Sequence, residues 1–353
     1  MEWMAFFVSC IFAINIGASG AAATMGVAYG SGAIKKMHVA LILCSVGIFL
    51  GAVIGGGEVI KTIGSGLIDQ QLLTVQIVII ILASATLSLF FANILGIPLS
   101  TSEVTVGSVI GVGIAYQSVY FHQLLWIVAL WIIVPVIAFI ITVTIQKITQ
   151  YFFVHKMKKF SKIFTILLII TGFFEAFSAG MNNIANAVGP LVGAGMLSEM
   201  EGKLLGGLFV ALGAMMLGRK VVETNGKRIT KFTKIEGLTI SATGASLVIL
   251  ASLFGIPIPM TQITTSSILG IGFVQEGKRV FQKEVVQRLI KIWVVSPLVS
   301  LIISYSLIQA IVFSNWYSFF MVVIVFITTI VFLNLTNSIL KQSKQIKLRR
   351  NEQ

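Results

Sequence analysis

The chain has 353 residues, 57% of them hydrophobic and 10% charged, with a mean hydropathy of +1.00. A water-soluble domain needs roughly 25% charged residues to cover its surface, so a soluble enzyme, a disordered chain and a disulfide scaffold are all excluded. The net charge of +13 does not point to nucleic acid, because the basic residues sit in short clusters between apolar runs, as membrane topology requires.

Apolar runs of about 17–25 residues can cross a bilayer. They predict eleven segments, near 3–28, 38–60, 72–94, 98–116, 123–146, 163–195, 203–218, 237–254, 257–274, 289–310 and 316–338. The first follows Glu2 and no basic stretch, so it reads as a retained span and not a cleaved signal. Runs of small residues predict that the first and sixth segments are broken helices. The fourth and ninth are short, begin at Pro98 and Pro257 and could re-enter. Turning them back would invert the middle of the chain and spoil the sorting of its basic residues, which favours full crossing. With all eleven crossing and the N-terminus outside, every one of the 25 basic residues except Lys61 and Lys203 falls on the inner side. That places the basic tail in the cytoplasm and the protein in the plasma membrane. Cys10 and Cys44 lie inside apolar stretches and carry no redox or metal motif.

Compared with itself at an offset near 160, the chain repeats four landmarks in order. Residues 16–26 fall on 179–189, 58–64 on 220–226, and 96–103 on 255–262. Trp131 to Pro135 falls on Trp293 to Pro297. Each half holds five crossings, an odd number, so the halves are expected upside down relative to one another. The expected fold is all-α and polytopic, an inverted-topology repeat with a first copy at 1–150 and a second at 151–315. An extra span and basic tail fill 316–353. Folds of this kind hold their substrate at mid-membrane, where broken helices meet.

Chemistry concentrates in two landmark pairs. The first copy of the small-residue motif offers Ser19, Gly20 and Thr24; the second offers Asn182, Asn183 and Asn186 in the same register. Small residues also let membrane helices pack closely, but three carboxamides within five residues of a span must find partners. Their N–H groups suit an oxyanion and their carbonyls a cation. In the second pair a proline precedes Ser100, Thr101 and Ser102 in one half, and Thr261 and Gln262 in the other. Helix starts of this kind present free N–H groups to an anion, although such hydroxyls also bond back to their own helix. Ionisable groups at membrane depth are functional suspects. They are Glu103 and Glu175, with Glu58 near a helix end, and each is a candidate proton carrier. His38, His122 and His155 sit at loop edges. No Ser–His–Asp set, zinc-protease motif or phosphate-cradling loop occurs, so no enzyme activity, metal or cofactor is expected.

These motifs resemble those of the inorganic phosphate transporter family, whose halves each carry a Gly-Ala-Asn-Asp-Val-Ala-Asn-Ala and a Pro-Val-Ser-Thr-Thr-His signature. The resemblance covers nearly the whole chain. It departs where the family's aspartates are Gly20 and Asn183, its histidines Glu103 and Gln262, and its second Ser-Thr pair Pro259-Met260. Loss of both aspartates makes a poor sodium site, because a hard cation wants anionic oxygens. The pattern is similar to the family's bacterial sulfate permease branch, which implies sulfate uptake driven by protons through alternating access, and a homodimer. Phosphate transport coupled to protons or sodium is the rival reading, and a passive anion channel a more distant one.

Overall fold

A computed structural model of the chain describes residues 1–94, 99–153, 160–228, 233–322 and 324. The chain divides into two units, Met1–Ser304 and Tyr305–Gln353. The described elements are helices, with one isolated β-bridge between Ile68 and Val119. They are α1 (Glu2–Gly30), α2 (Met37–Gly55), α3 (Gly57–Ser65), α4 (Val75–Ile94), α5 (Thr101–Ala115), α6 (Phe121–Phe153), α7 (Ser161–Gly193), α8 (Glu199–Arg228), α9 (Lys234–Leu253), α10 (Met260–Glu276) and α11 (Glu284–Leu307). Among the described residues, seven helices are long and apolar enough to cross a membrane: α1, α2, α6, α7, α8, α9 and α11.

Two expectations need correction. The first and sixth segments are not broken: α1 and α7 are continuous helices of 29 and 33 residues. Alanine is the best helix former and glycine costs only about 1 kcal/mol, whereas a break in hydrocarbon would leave backbone groups unpaired at several kcal/mol each. The small residues serve close packing instead. A side chain on Gly17 would strike the carbonyl of Val210 on α8, and one on Gly213 the carbonyl of Ile14 on α1. Likewise Gly180 lies against the Ile48 carbonyl of α2, and Gly51 against the Phe177 carbonyl of α7. The second segment, by contrast, is divided at Gly56, where the backbone passes close to Met181, Ile184 and Glu199.

The second correction concerns the short segments. Tyr120 N–H donates to the Leu67 carbonyl at 2.9 Å, so the end of α5 returns to the loop that precedes α4. Gln70 in that loop donates to the carbonyl of Gly193 at the end of α7. At the opposite end of the molecule, Gln275 at the end of α10 donates to Glu236 at the start of α9 at 2.6 Å. Lys234 there reaches Thr165, near the start of α7. The pairs α4–α5 and α9–α10 are therefore hairpins that open toward opposite ends. Their tips meet, because Ser102 Oγ donates to the Ile258 carbonyl at 3.2 Å. Two loops on opposite sides of a bilayer cannot touch, so the segments enter from either end and turn back. With 15 residues, α5 is about 22 Å long, short of the roughly 30 Å of hydrocarbon.

In the second unit, the chain passes through a π turn at Ile308–Val312 and resumes as helix at 316. The expected boundary between residues 315 and 316 falls inside that unit, and most of the expected eleventh span lies outside the described residues.

Candidate anion-binding site

The hairpin tips meet on the face of α7 that carries the asparagines, all of them buried. Asn182 and Asn186 are four apart and share that face. The Asn182 amide donates to Ser252 Oγ at 3.1 Å and to the Ile256 carbonyl at 2.9 Å. Its carbonyl accepts from the Ile258 N–H at 3.2 Å, and Ser102 Oγ, 3.4 Å away, shares its one proton between this oxygen and the Ile258 carbonyl. Both amide donors are thus engaged, and Asn182 ties the α9–α10 tip to α7.

Asn186 and Asn183 face the other tip. The Asn186 amide donates to Thr101 Oγ1 at 3.4 Å and Ser102 Oγ at 3.3 Å. Thr101 in turn donates to Asn183 Oδ1 at 3.2 Å. The Asn183 amide then points at the sulfur of Met260, at 3.5 Å. Around this contact lies a small pocket of about 20 Å³, walled by Ser19, Leu99, Ser100, Thr101, Asn183, Met260 and Thr261. That is room for about one water. The starts of α5 and α10 border it, and neither is capped by a side chain. First-turn N–H groups and their dipoles are therefore left for an anion. A larger groove of about 730 Å³ between α5, α6, α10 and α11 is walled almost wholly by apolar side chains and offers an anion little to hold.

The structure brings Ser19, Ser100, Thr101, Asn183 and Thr261 around the pocket and Ser102, Asn182 and Asn186 next to them, while Gln262 bonds Glu103 and does not line it. Ser19, at the pocket wall, donates its hydroxyl proton to its own helix at the Ile16 carbonyl. Other expected site residues stand apart. Thr24 pairs with Cys44 at 3.3 Å on the α1–α2 contact and does not line the pocket. The backbone at Gly20 is helical, and its surroundings lie outside the described residues. Glu58, in the first turn of α3, is exposed and ion-paired to Lys61 at 2.8 Å; it is not a buried carboxyl.

The other two carboxyls are buried. Glu103 accepts from Gln262 across the hairpin tips, with Ser296 of α11 beside it. Glu175 accepts from Thr264 at 3.4 Å, with Ser241 of α9 beside it. Both therefore touch α10, at positions two residues apart. Sequence reasoning missed Leu99 and Met260 as pocket walls, since an apolar side chain in an apolar span carries no signal. It also missed Glu236, buried and bound by Gln146 and Gln275 where α6 and α10 meet the base of α9.

The chain is 56% identical to the sulfate permease CysP of Bacillus subtilis, over 98% of each chain. It is 27% identical to a putative phosphate permease of Haemophilus influenzae, covering 84% of this chain and 93% of that one. Among solved structures it is similar to a sodium-dependent phosphate transporter, with a TM-score of 0.78 and 24% identity, over 86% of this chain and 97% of that one; that likeness shows the fold alone. The pattern of the phosphate transporter family matches residues 16–304. This multi-pass membrane protein belongs to the phosphate transporter family.

Proposed function

We propose that the chain is a secondary transporter that carries sulfate or a related tetrahedral oxyanion inward by alternating access, coupled to protons. The observation that carries this reading is the donor-rich pocket at the meeting of the two hairpin tips. Amide and hydroxyl donors and two uncapped helix starts converge there, and none of its walls is an acidic side chain. Such a site suits a fully deprotonated dianion, whereas a hydrogen phosphate needs an acceptor for its own proton. The name of the Bacillus subtilis relative supports the same substrate.

The repeat gives the mechanism its symmetry. The Gly17–Val210 and Gly213–Ile14 contacts recur as Gly180–Ile48 and Gly51–Phe177, each partner displaced by 162 or 163 residues. This supports two copies of opposite orientation, whose rocking opens the seat to either side in turn. The basic loops favour a cytoplasmic tail and an outer N-terminus. Coupling is assigned to Glu103 and Glu175, because both contact α10, whose first turn forms a wall of the seat. A carboxyl that takes up a proton changes its bonding to Gln262 or Thr264 and so biases the position of α10.

The test is uptake of labelled sulfate and labelled phosphate into proteoliposomes under imposed pH or sodium gradients. Sulfate is expected to accumulate only with an inward proton gradient. Glu103→Gln and Glu175→Gln should each keep sulfate exchange and lose accumulation. If both variants still concentrate sulfate, the coupling assignment is wrong. Competition by excess phosphate would favour the rival substrate, and flux that never exceeds equilibrium would favour a channel.

A further inference from the structure

We propose that Met260 occupies the anion seat in this conformation and, by having to leave it, sets which oxyanions the site admits. The proposal rests on the oxyanion-transport reading above. Met260 is the first residue of α10 and is buried against Asn183. Among the described residues, the Asn183 amide finds its acceptor in the Met260 thioether, at 3.5 Å. Sulfur of this kind is a weak acceptor, and an anionic oxygen is a much stronger one. The amide is therefore held on a placeholder that an oxyanion can replace.

Volume requires the same exchange. The pocket of about 20 Å³ takes roughly one water, while a tetrahedral oxyanion has five heavy atoms. Ser19, Ser100, Thr101, Asn183 and Thr261 are the pocket's hydrogen-bonding walls, so displacing them would remove the ligands the anion needs. The apolar walls are Leu99 and Met260. Methionine is unbranched, with three rotatable bonds, and adapts its shape where leucine does not. Met260 is thus the wall that can move.

The experiment compares wild type with Met260→Ala, Met260→Leu and Met260→Thr in proteoliposomes at matched protein. Sulfate uptake is measured in competition with selenate, molybdate and phosphate. Met260→Ala enlarges the seat, and molybdate should then compete about tenfold better relative to sulfate. Met260→Leu keeps the volume in a side chain that adapts less, so the size ranking should stay while sulfate half-saturation rises about threefold. Met260→Thr shortens the wall and replaces the weak thioether acceptor by a hydroxyl, so phosphate should compete about tenfold better relative to sulfate. Should the alanine variant not be recovered, the leucine and threonine results decide the matter. Unchanged ratios among the four anions in every recovered variant would overturn the role of Met260 while leaving the transport reading intact. A wild type that takes up none of these anions would overturn both.

Discussion

Residues 17–24 of α1 and residues 180–187 of α7 perform the same mechanical task and different chemical ones. In both, a glycine lets the backbone of the facing helix approach until a single added carbon would strike its carbonyl. Beyond that glycine the two stretches part. On α1 the side chains are small, Ser19 bonds to its own helix, and Thr24 pairs sideways with Cys44. On α7 three carboxamides reach across to both hairpin tips. Close packing must be kept at both glycines, because a side chain on either would strike the backbone of the facing helix. The polar network is held by α7, whose asparagines reach both hairpin tips.

The largest expected effect tests the shared half of this comparison. Gly17→Val and Gly180→Val should each cost 3 kcal/mol or more (about the upper range for overpacking), since backbone and not a flexible side chain is in the way. Thermal unfolding in detergent should show both variants as unfolded or unrecoverable. A normal melting temperature for either would mean that the helices can separate without penalty, and would end the packing argument.

The next prediction separates the asparagines. Asn182→Ala leaves the Ile258 N–H, the Ile256 carbonyl and Ser252 without their partner at the α9–α10 tip. It should lower stability by about 2 kcal/mol, visible as a lower melting temperature. Asn183→Ala loses the Thr101 hydroxyl's acceptor and a weak contact with the Met260 sulfur, so it should cost about 1 kcal/mol, less than Asn182→Ala, and reduce sulfate uptake roughly tenfold. Equal melting shifts for the two would deny Asn182 its distinct structural task.

The smallest effect lies on α1. Ser19→Ala removes a hydroxyl bonded to its own helix, so stability should change by less than about 0.5 kcal/mol. Uptake should fall only a few-fold, because the Ser19 proton is already bonded to the Ile16 carbonyl and other side chains supply the pocket's donors. A complete loss of transport would show that α1 carries more of the chemistry than its hydrogen bonds suggest.

The class of the fold was legible because hydropathy reports which side chains avoid water, and the loops carry the charges that set topology. The order of the four landmarks, the burial of Asn182, Asn183 and Asn186, and their meeting with Ser100, Thr101 and Ser102 followed from residue type and spacing. Whether the proline segments cross or turn back did not. The stretch between α4 and α5 and the stretch between α9 and α10 contain no lysine or arginine, and a hairpin leaves every charged loop on the side a full crossing would. Charge counting is therefore blind to the difference, and only the bond from Ser102 to Ile258 decides it. The continuity of α1 and α7 likewise escaped the sequence, since a run of glycine, alanine and serine reads alike as a break or as a packing seam. The hydrogen bonds of Asn182 and the sulfur parked on Asn183 are properties of distance between remote segments. Composition and periodicity describe what each segment avoids; only the folded chain settles which polar groups find one another.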